Sequence, residues 1–205
     1  MKKLLLLALM LLLTGCQTLS TRGYMADGKP LGNHYLPWRQ RLKQLNSLSA
    51  WNASGSIAAR NQIKGGWSAS FNWQQQNRTN YILALFGPLG TNHIEIDGKP
   101  NNITLKTSRQ TYIANNPETL LQQQVGWRLP VSNLPYWLRG LPAPYSHATH
   151  YSHDMNNHMV YLAQDGWEVR YLRYVSVNGI DVPDRILLTN PPWVAHIVIH
   201  QWQLN

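Results

Sequence analysis

Histidine and aspartate side chains with the spacing of metal ligands cluster in the second half of the chain. The members are His147, His150, His153, Asp154 and His158. Imidazole nitrogens and carboxylate oxygens are protein groups that bind zinc. However, the polar composition of residues 142–157 predicts a loop, and no glutamate stands beside the histidines as the general base of a zinc protease would. We therefore predict solvated side chains and no metal ion, and keep a metal-binding protein as an alternative function.

Hydrolytic machinery is not apparent in the rest of the sequence. The chain has only nine acidic residues, and no pair of carboxylates has the arrangement that a glycosidase would need. The Gly-x-Ser-x-Gly motif of serine hydrolases is absent. A hydrolase is therefore disfavoured.

Cys16 is the only cysteine, so no disulfide can form within the chain. It follows Lys2, Lys3 and an unbroken apolar run over residues 4–13, which together have the form of an export signal. As a helix this run would span ~15 Å, too little for the ~30 Å hydrocarbon core of a bilayer. The letters LTGC at 13–16 resemble the lipobox of bacterial lipoproteins. We expect removal of residues 1–15 and lipidation of Cys16; the alternative is a secretory peptide that happens to contain a cysteine.

The charge balance narrows the choice of partners. The formal charge of +9 falls to +7 once Lys2 and Lys3 are removed, and charged residues make up only 13% of the chain. Lysines and arginines are scattered rather than interleaved with aromatic residues, so no nucleic-acid groove is predicted. A mildly basic surface fits anionic lipid or an acidic protein partner about equally well.

Hydrophobic periodicity divides the chain into a tether and one domain. Residues 16–33 have no apolar period and predict a flexible tether, which leaves residues 34–205 as a single domain. Apolar residues recur at helical spacing over residues 38–48. The period then becomes two, as in residues 66–74, where apolar and polar positions alternate as in an antiparallel sheet with one wet face.

Two short helices interrupt the predicted strands in the middle of the chain. Pro117 opens the first, which Gly126 ends, and Ser132 can cap the second, which Gly140 ends. Strands resume near His158 and continue to the C-terminus. This order predicts an α+β fold, in which a mainly antiparallel sheet has helices packed over its open face.

Nine tryptophans and ten tyrosines against two phenylalanines make the composition unusual. These side chains have a large apolar body and a polar edge, which suits an aromatic core and an aromatic-lined pocket equally. Since the same rings also stack on sugars, a periplasmic glycan-binding module is a second alternative. That function needs aromatic residues on the solvent-exposed face of the sheet. The aromatic residues within 67–73 share the apolar face, which favours an apolar interior.

Several motifs together resemble the LolB family of outer-membrane lipoproteins. After the lipobox come WR at 38–39, GPLG at 87–90, GWRLP at 126–130, YWLRGLP at 136–142 and QDGW at 164–167. Their order and spacing extend the resemblance from Cys16 almost to the C-terminus, with the tether and residues 147–158 as the poorly matched parts.

The resemblance implies an incomplete, half-closed β-barrel with helices covering an apolar cavity. LolB-like proteins take lipoprotein cargo from a soluble periplasmic carrier resembling LolA, hold its acyl chains and insert them into the phospholipid of the outer membrane. They use no cofactor and catalyse no covalent reaction, so we expect no enzyme, and we expect a monomer. The candidate cavity residues are Trp67, Phe71, Trp73, Ile94, Ile96, Ile103, Leu105, Trp137 and Leu138.

Residues 87–90 have the composition of a tight turn, with a proline and a glycine two positions apart. The tip of this turn carries a bulky leucine, Leu89. Single exposed leucines are common, but the resemblance implicates Leu89, together with Gly87, Pro88 and Gly90, in membrane insertion. Burying one leucine yields ~1.5–3 kcal/mol, enough to orient a tethered domain but too little to anchor it.

The resemblance also implies where the chain is located. Gln17 follows the lipidated position, where lipoproteins retained at the inner membrane have aspartate. We therefore expect anchorage through Cys16 in the outer membrane of a Gram-negative bacterium, with the domain facing the periplasm.

Overall fold

The computed structural model describes residues 35–63, 65–90 and 93–205. Within these ranges lie the helices α1 (Trp38–Ser47), α2 (Pro117–Val125) and α3 (Leu134–Trp137). The strands are β1 (Trp51–Asn61), β2 (Gly65–Gln75), β3 (Tyr81–Phe86), β4 (Ile94–Lys99), β5 (Asn102–Thr107), β6 (Thr111–Ala114), β7 (Ala148–His153), β8 (Met159–Gln164), β9 (Trp167–Val177), β10 (Ile180–Asn190) and β11 (Trp193–Leu204). A 3₁₀ turn, Pro88–Gly90, follows β3.

All eleven strands form one antiparallel sheet in the order β6-β5-β4-β3-β2-β1-β11-β10-β9-β8-β7. Every neighbouring pair is a hairpin except β1 and β11, which are brought together from the two ends of the domain. The outer strands β6 and β7 do not pair with each other, so the sheet curls without closing. The predicted α+β class and incomplete barrel are confirmed.

Bulges supply the curvature of the sheet. The pairing of β1 with β11 shifts between Ser54 and Gly55, and the pairing of β9 with β10 shifts on either side of Arg185. A bulge bends its strand and increases the local twist. Gly55 is required at the first bulge, since a Cβ there would lie 2.0 Å from the carbonyl oxygen of Val198.

Strict alternation along the strands places one face of the sheet in the core. In β1, for example, burial alternates from Trp51 to Asn61, and the core residues of β2 are those of the predicted apolar face. Tryptophan rings dominate the centre, where Trp51 stacks on Trp73 and also packs against Trp202. The large number of tryptophans is therefore explained mainly by the packing of the core.

Local chemistry explains most helix boundaries. Asn116 caps α2 by accepting a hydrogen bond from the Thr119 amide at 2.7 Å, and Gly126 ends the helix in the left-handed conformation, as predicted. The predicted Ser132 cap of α3 is wrong. Ser132 instead hydrogen-bonds to Glu118, while Asn133 occupies the cap position without a side-chain capping bond.

The loop predicted over residues 142–157 is also wrong in its second half, which contains strand β7. Polar residues suit β7 because it is an edge strand and is largely exposed, so its composition resembles that of a loop. No helix of the described residues is long and apolar enough to cross a membrane. The predicted export signal, Cys16 and the tether lie outside the described residues.

Candidate functional site

An apolar void lies between the inner face of the sheet and the cover segment, which we define as residues 117–141. Its volume is about 20 Å³, room for about one water molecule. Pockets that hold small ligands measure ~300–1,000 Å³. The apolar space predicted under the helices is thus far smaller in this conformation than an acyl chain requires. It is lined by Ile57, Phe71, Trp73, Leu83, Leu85, Leu129, Leu134, Leu138 and Ile197.

Three of the nine predicted cavity residues, Phe71, Trp73 and Leu138, line this void. Five others are at most 7% exposed and pack in the solid core without lining it: Ile94, Ile96, Ile103, Leu105 and Trp137. For Ile103 and Leu105 of β5 the reason is the position of α2, which packs against β5 and β6.

Trp67, the ninth predicted residue, lies at the rim of the interior. Its indole ring stacks on that of Trp127, which follows α2, with ring centroids 4.0 Å apart and an angle of 8° between the planes. Both rings are only partly buried. The stack therefore joins the start of β2 to the end of the helix that covers the sheet.

Six lining residues were missed by the sequence prediction. Ile57, Leu83, Leu85 and Ile197 have the same period-two signal as the residues that were chosen, and counting alternate positions through β1, β3 and β11 would have found them. Leu129 and Leu134 come from the cover segment. Residues 129–134 have no regular period, so only the fold identifies them.

The second half of the cover segment is fixed to the sheet by buried polar contacts. The Nε1 atom of Trp137 donates to Oε1 of Gln164 at 2.9 Å, and the same oxygen accepts from the Ala143 amide. Asn133 donates to Asp165 at 2.7 Å. Since buried hydrogen bonds are directional and costly to leave unmade, they hold α3 in one position.

Arg139 ties α1 to α3. Its guanidinium donates to the backbone carbonyls of Leu45 and Leu48 at the end of α1, at 2.7 and 3.0 Å, and to the carbonyl of Pro135 at 2.8 Å. It also lies over the rings of Trp51 and Tyr136. Burial lowers the pKa of Arg139 to about 10, so the group remains charged at neutral pH. Its role is therefore to satisfy the last carbonyls of a helix.

The first half of the cover segment is fixed differently. Leu120 and Leu121 of α2 are buried, and its C-terminal end is followed by the Trp67–Trp127 stack. The Glu118 carboxylate bonds within the cover segment, to the amide and hydroxyl of Ser132, rather than to the sheet. The contacts of α2 with the sheet that we identify are thus apolar, and another apolar group could replace them.

The turn at 87–90 projects from the end of β3 as predicted. The amide of Gly90 donates to the carbonyl of Gly87 at 3.0 Å and closes the turn, while Pro88 and Gly90 are exposed. Leu89 is 102% exposed and has a φ of +59°, a left-handed conformation that is uncommon for leucine. The backbone therefore presents this side chain fully to solvent at the expense of some strain.

The histidine cluster is spread over several environments. His158 is 1% exposed and bridges two carboxylates, with Nδ1 2.9 Å from Asp154 and Nε2 3.0 Å from Asp181. His153 packs against the ring of Trp38. The prediction of solvated side chains is therefore wrong for His158. Among the described residues, no group of three or more histidines, cysteines, aspartates or glutamates has an arrangement that could hold a metal ion.

Arg41 completes a buried charge cluster around Asp181. Its Nη1 atom lies 3.2 Å from that carboxylate, and its Nη2 atom donates to the Asn156 carbonyl. Burial on its own raises the pKa of Asp181, but hydrogen bonds from His158 and Ser176 and the charge of Arg41 outweigh it and hold that pKa below its usual range. The cluster joins α1 to the turn between β7 and β8 and to β10.

Comparison with known proteins gives one consistent family. Residues 49–202 match the family model described as "Outer membrane lipoprotein LolB". Proteins named outer-membrane lipoprotein LolB are similar over nearly the whole chain. The one from Coxiella burnetii strain Dugway 5J108-111 is 37% identical over 94% of this chain and 89% of its own, and the one from Pseudomonas savastanoi pv. phaseolicola is 38% identical over 99% and 96%.

Solved structures share the fold at much lower sequence identity. A LolA superfamily protein from Nitrosomonas europaea superposes with a TM-score of 0.53 and 9% identity, covering 83% of this chain and 94% of that one. A DUF1329 family protein from Desulfovibrio piger gives a TM-score of 0.56 and 6% identity, covering 82% and 90%. The fold of this chain is thus shared with both of these proteins.

Proposed function

This chain belongs to the LolB family, and we propose that it receives lipoproteins at the outer membrane, shields their acyl chains and inserts them into the lipid. The observation that supports this most directly is an interior lined entirely by apolar side chains beneath a cover segment whose first helix, α2, contacts the sheet through apolar residues. A receptor for acyl chains needs an interior that is closed to water when empty and that opens without breaking polar bonds.

The energetics of acyl transfer define what the interior must do. Exposing a chain of about fifteen methylenes to water costs ~12 kcal/mol. A receptor must remove most of that cost and still release the chain to lipid. Aliphatic and aromatic walls suit this task because their contacts are not directional and tolerate different chains. The candidate walls are the nine residues that line the void.

We propose that α2 moves to admit the chain while α3 stays in place. The contacts of Leu120 and Leu121 can be exchanged for contacts with an acyl chain, which leaves the buried apolar area nearly constant. Moving α3 would instead break the buried Trp137–Gln164 and Arg139 hydrogen bonds, which are costly to leave unmade. The predicted cavity residues Ile94, Ile96, Ile103 and Leu105 would then meet the chain once α2 has left β5.

We propose that lipidated Cys16 anchors the protein to the membrane. Stable attachment to a bilayer takes more than one acyl chain, which a lipidated N-terminal cysteine provides. In this proposal residues 1–15 are removed, residues 16–33 tether the domain, and residues 34–205 form the single working domain on the periplasmic side. Phospholipid of the outer membrane is then the final acceptor.

The donor is proposed to be a soluble periplasmic carrier resembling LolA, and the receptor is proposed to act as a monomer. A donor with the same fold would hold the chain in a similar half-barrel, so the chain would pass between like environments with little change in solvation free energy. Neither step requires a cofactor or a covalent reaction, so we propose no enzymatic activity.

A glycan-binding function is less well supported. It would need aromatic rings in an exposed row, whereas Phe71 and Trp73 are at most 5% exposed and face the interior. Trp67 is engaged with Trp127. The aromatic residues 67, 71 and 73 of β2 are therefore not available to stack on a sugar.

Site-specific cross-linking tests the proposed function. The full lipidated chain would carry a photoreactive phenylalanine analogue at Phe71 or at Leu138 and would receive radiolabelled lipoprotein from the carrier. We expect light-dependent cross-links to the acyl chains at both positions. The matched control is Leu172, a strand residue that is 56% exposed, where no acyl cross-link should form. Transfer of cargo without any cross-link at the two interior positions would overturn the assignment of this cavity.

A further inference from the structure

A second exposed apolar residue lies at the same end of the sheet as Leu89. Ile63, in the turn between β1 and β2, is 82% exposed. Hairpin turns alternate between the two ends of an antiparallel sheet, so the β1–β2 and β3–β4 connections share one end, two strands apart. Only the second of these turns was predicted from the sequence to contact the membrane.

The turn that carries Ile63 is held in place. The Ile63 amide donates to Oδ1 of Asn61 at 2.8 Å, and the neighbouring Gln62 amide donates to the carbonyl of Pro192 at 3.1 Å. These bonds attach the turn to its own strand and to the β10–β11 connection. The backbone at residues 62 and 63 is therefore fixed by hydrogen bonds where it presents the Ile63 side chain to solvent.

Basic side chains flank both apolar tips. Arg60 lies near the end of β1, just before the turn that contains Ile63. Arg109 is in the β5–β6 turn at the same end, and Arg128 follows Trp127. All three are exposed, and none forms an ion pair within the part of the chain that the structure describes. The carboxylates near this end of the sheet have partners of their own: Asp165 and Glu168 belong to the distant β8–β9 hairpin, and Glu95, near the start of β4, pairs with Lys106.

We propose that Ile63 is a second point of membrane contact, and that Arg60, Arg109 and Arg128 bind anionic phospholipid headgroups beside it. One apolar tip fixes a point on the surface, but a tethered domain can still swivel about that point. Two tips two strands apart fix the direction in which the end of the sheet faces the membrane. Because the exposed side chains named at this end are positively charged, an anionic lipid surface is the partner that this end of the sheet fits best.

This inference rests on the proposed function, and its test keeps the two apart. Because Cys16 is the only cysteine and would be acylated, the substitution Ile63→Cys introduces a single free thiol for a polarity-sensitive fluorophore. The same label at Leu89→Cys reports on the turn for which membrane insertion was predicted from the sequence. At Met155→Cys it is the matched control, since Met155 is 87% exposed in the turn between β7 and β8 at the opposite end.

The labelled, lipidated proteins would be reconstituted into phosphatidylcholine vesicles with or without phosphatidylglycerol. At position 63 we expect blue-shifted emission and quenching by nitroxide-labelled lipid, both stronger with phosphatidylglycerol, and neither effect at position 155. Replacing Arg60 or Arg128 by glutamine should weaken insertion of the label about fivefold each. Arg78→Gln, in the β2–β3 turn at the opposite end, should leave it unchanged.

Cargo delivery measured on the same vesicles separates the two proposals. If the label at position 63 stays in water while the label at 89 inserts and cargo is delivered, the second contact is refuted and the receptor function stands. If cargo is not accepted by the unlabelled chain, the receptor function itself fails. Equal insertion with and without phosphatidylglycerol would refute the role of the arginines.

Discussion

The indole rings of Trp67 and Trp127 lie face to face at the rim of the interior, with centroids 4.0 Å apart. One ring belongs to the sheet and the other to the chain just beyond α2, so their contact joins the cover segment to the barrel at the end where Leu89 and Ile63 project. An aromatic stack of this kind contributes ~0.5–1.5 kcal/mol beyond the burial of its area.

Trp127→Ala should make the interior easier to open. Loss of the stack should shift the opening equilibrium of α2 by about two- to tenfold, and uptake of a fluorescent fatty acid should accelerate by the same factor. Stopped-flow fluorescence of the purified protein measures this rate. Trp193→Ala, which removes another partly buried tryptophan at the same end, is the control and should leave uptake unchanged. Equal rates for Trp127→Ala and the unmodified chain would mean that the stack does not limit opening.

Arg139→Leu should strongly destabilise the domain. The substitution leaves the carbonyls of Leu45, Leu48 and Pro135 buried without the donor they now have. Each unsatisfied buried group costs ~1–3 kcal/mol, so we expect a loss of at least ~2–4 kcal/mol in the free energy of unfolding. Urea unfolding with an unchanged m-value measures it. Arg128→Leu, at an exposed position, is the control and should change stability little; a similarly small effect at Arg139 would refute its role as the pin between α1 and α3.

Much of the fold could be predicted from the sequence because one rule governs it. Alternation within residues 66–74 predicted the inner face of β2, and the same rule extends to β1, β3 and β11. The turn at 87–90 and the end of α2 at Gly126 follow from residues with special backbone preferences. These features depend on local chemistry, which a sequence shows directly.

The features that escaped prediction depend on distant pairing. Edge strand β7 has the composition of a loop because it has a single strand neighbour. His158 is buried beside Asp181, which lies 23 residues further along the chain, and Asp181 in turn bonds to Arg41 in α1, near the start of the domain. The size of the void depends on how closely Leu129, Leu134 and Leu138 pack on the inner face of the sheet, and the periodicity of a single strand does not show that distance.

Stability should fall in acid because of the buried cluster around Asp181. Hydrogen bonds from His158 help to hold the pKa values of Asp154 and Asp181 below their usual range, although burial alone would raise them. A carboxyl group whose pKa is lower in the folded state stabilises the fold at every pH above its unfolded value of about 3.9. That contribution is lost as the pH falls through the folded value, so the decline should begin near pH 4 and deepen below it.

Asp181→Asn tests this origin of the acid sensitivity. The variant should be less stable than the unmodified chain at neutral pH, since Arg41 and His158 lose their shared carboxylate. The difference between the two proteins should shrink as the pH falls below about 4, because the unmodified chain then loses the same charge. Thermal unfolding followed by circular dichroism between pH 7 and pH 3 measures both curves. Parallel curves over that range would assign the acid sensitivity to other groups.

Leu89→Glu should separate acceptance from delivery. The residue is remote from the void, so the variant should take cargo from the carrier normally. A carboxylate at the tip is costly to place in hydrocarbon, so incorporation of the cargo into liposomes should fall at least tenfold. Sedimentation of liposomes after the transfer reaction measures incorporation, and carrier that has lost its cargo measures acceptance. Met155→Glu is the control at the opposite end, and normal delivery by Leu89→Glu would remove Leu89 from the insertion step.

Leu89→Gly asks whether the strain at this position serves the side chain. Leucine in the left-handed conformation costs ~1–2 kcal/mol, and glycine adopts the same backbone without that cost. Removal of the strain should therefore keep or raise the free energy of unfolding by up to ~1 kcal/mol, while delivery falls because the apolar tip is gone. Urea unfolding and the liposome assay on one preparation give both values. Unchanged or higher stability of Leu89→Gly together with weaker delivery would show that leucine is kept at this position for the contacts of its side chain. A drop in stability would instead give Leu89 a structural role.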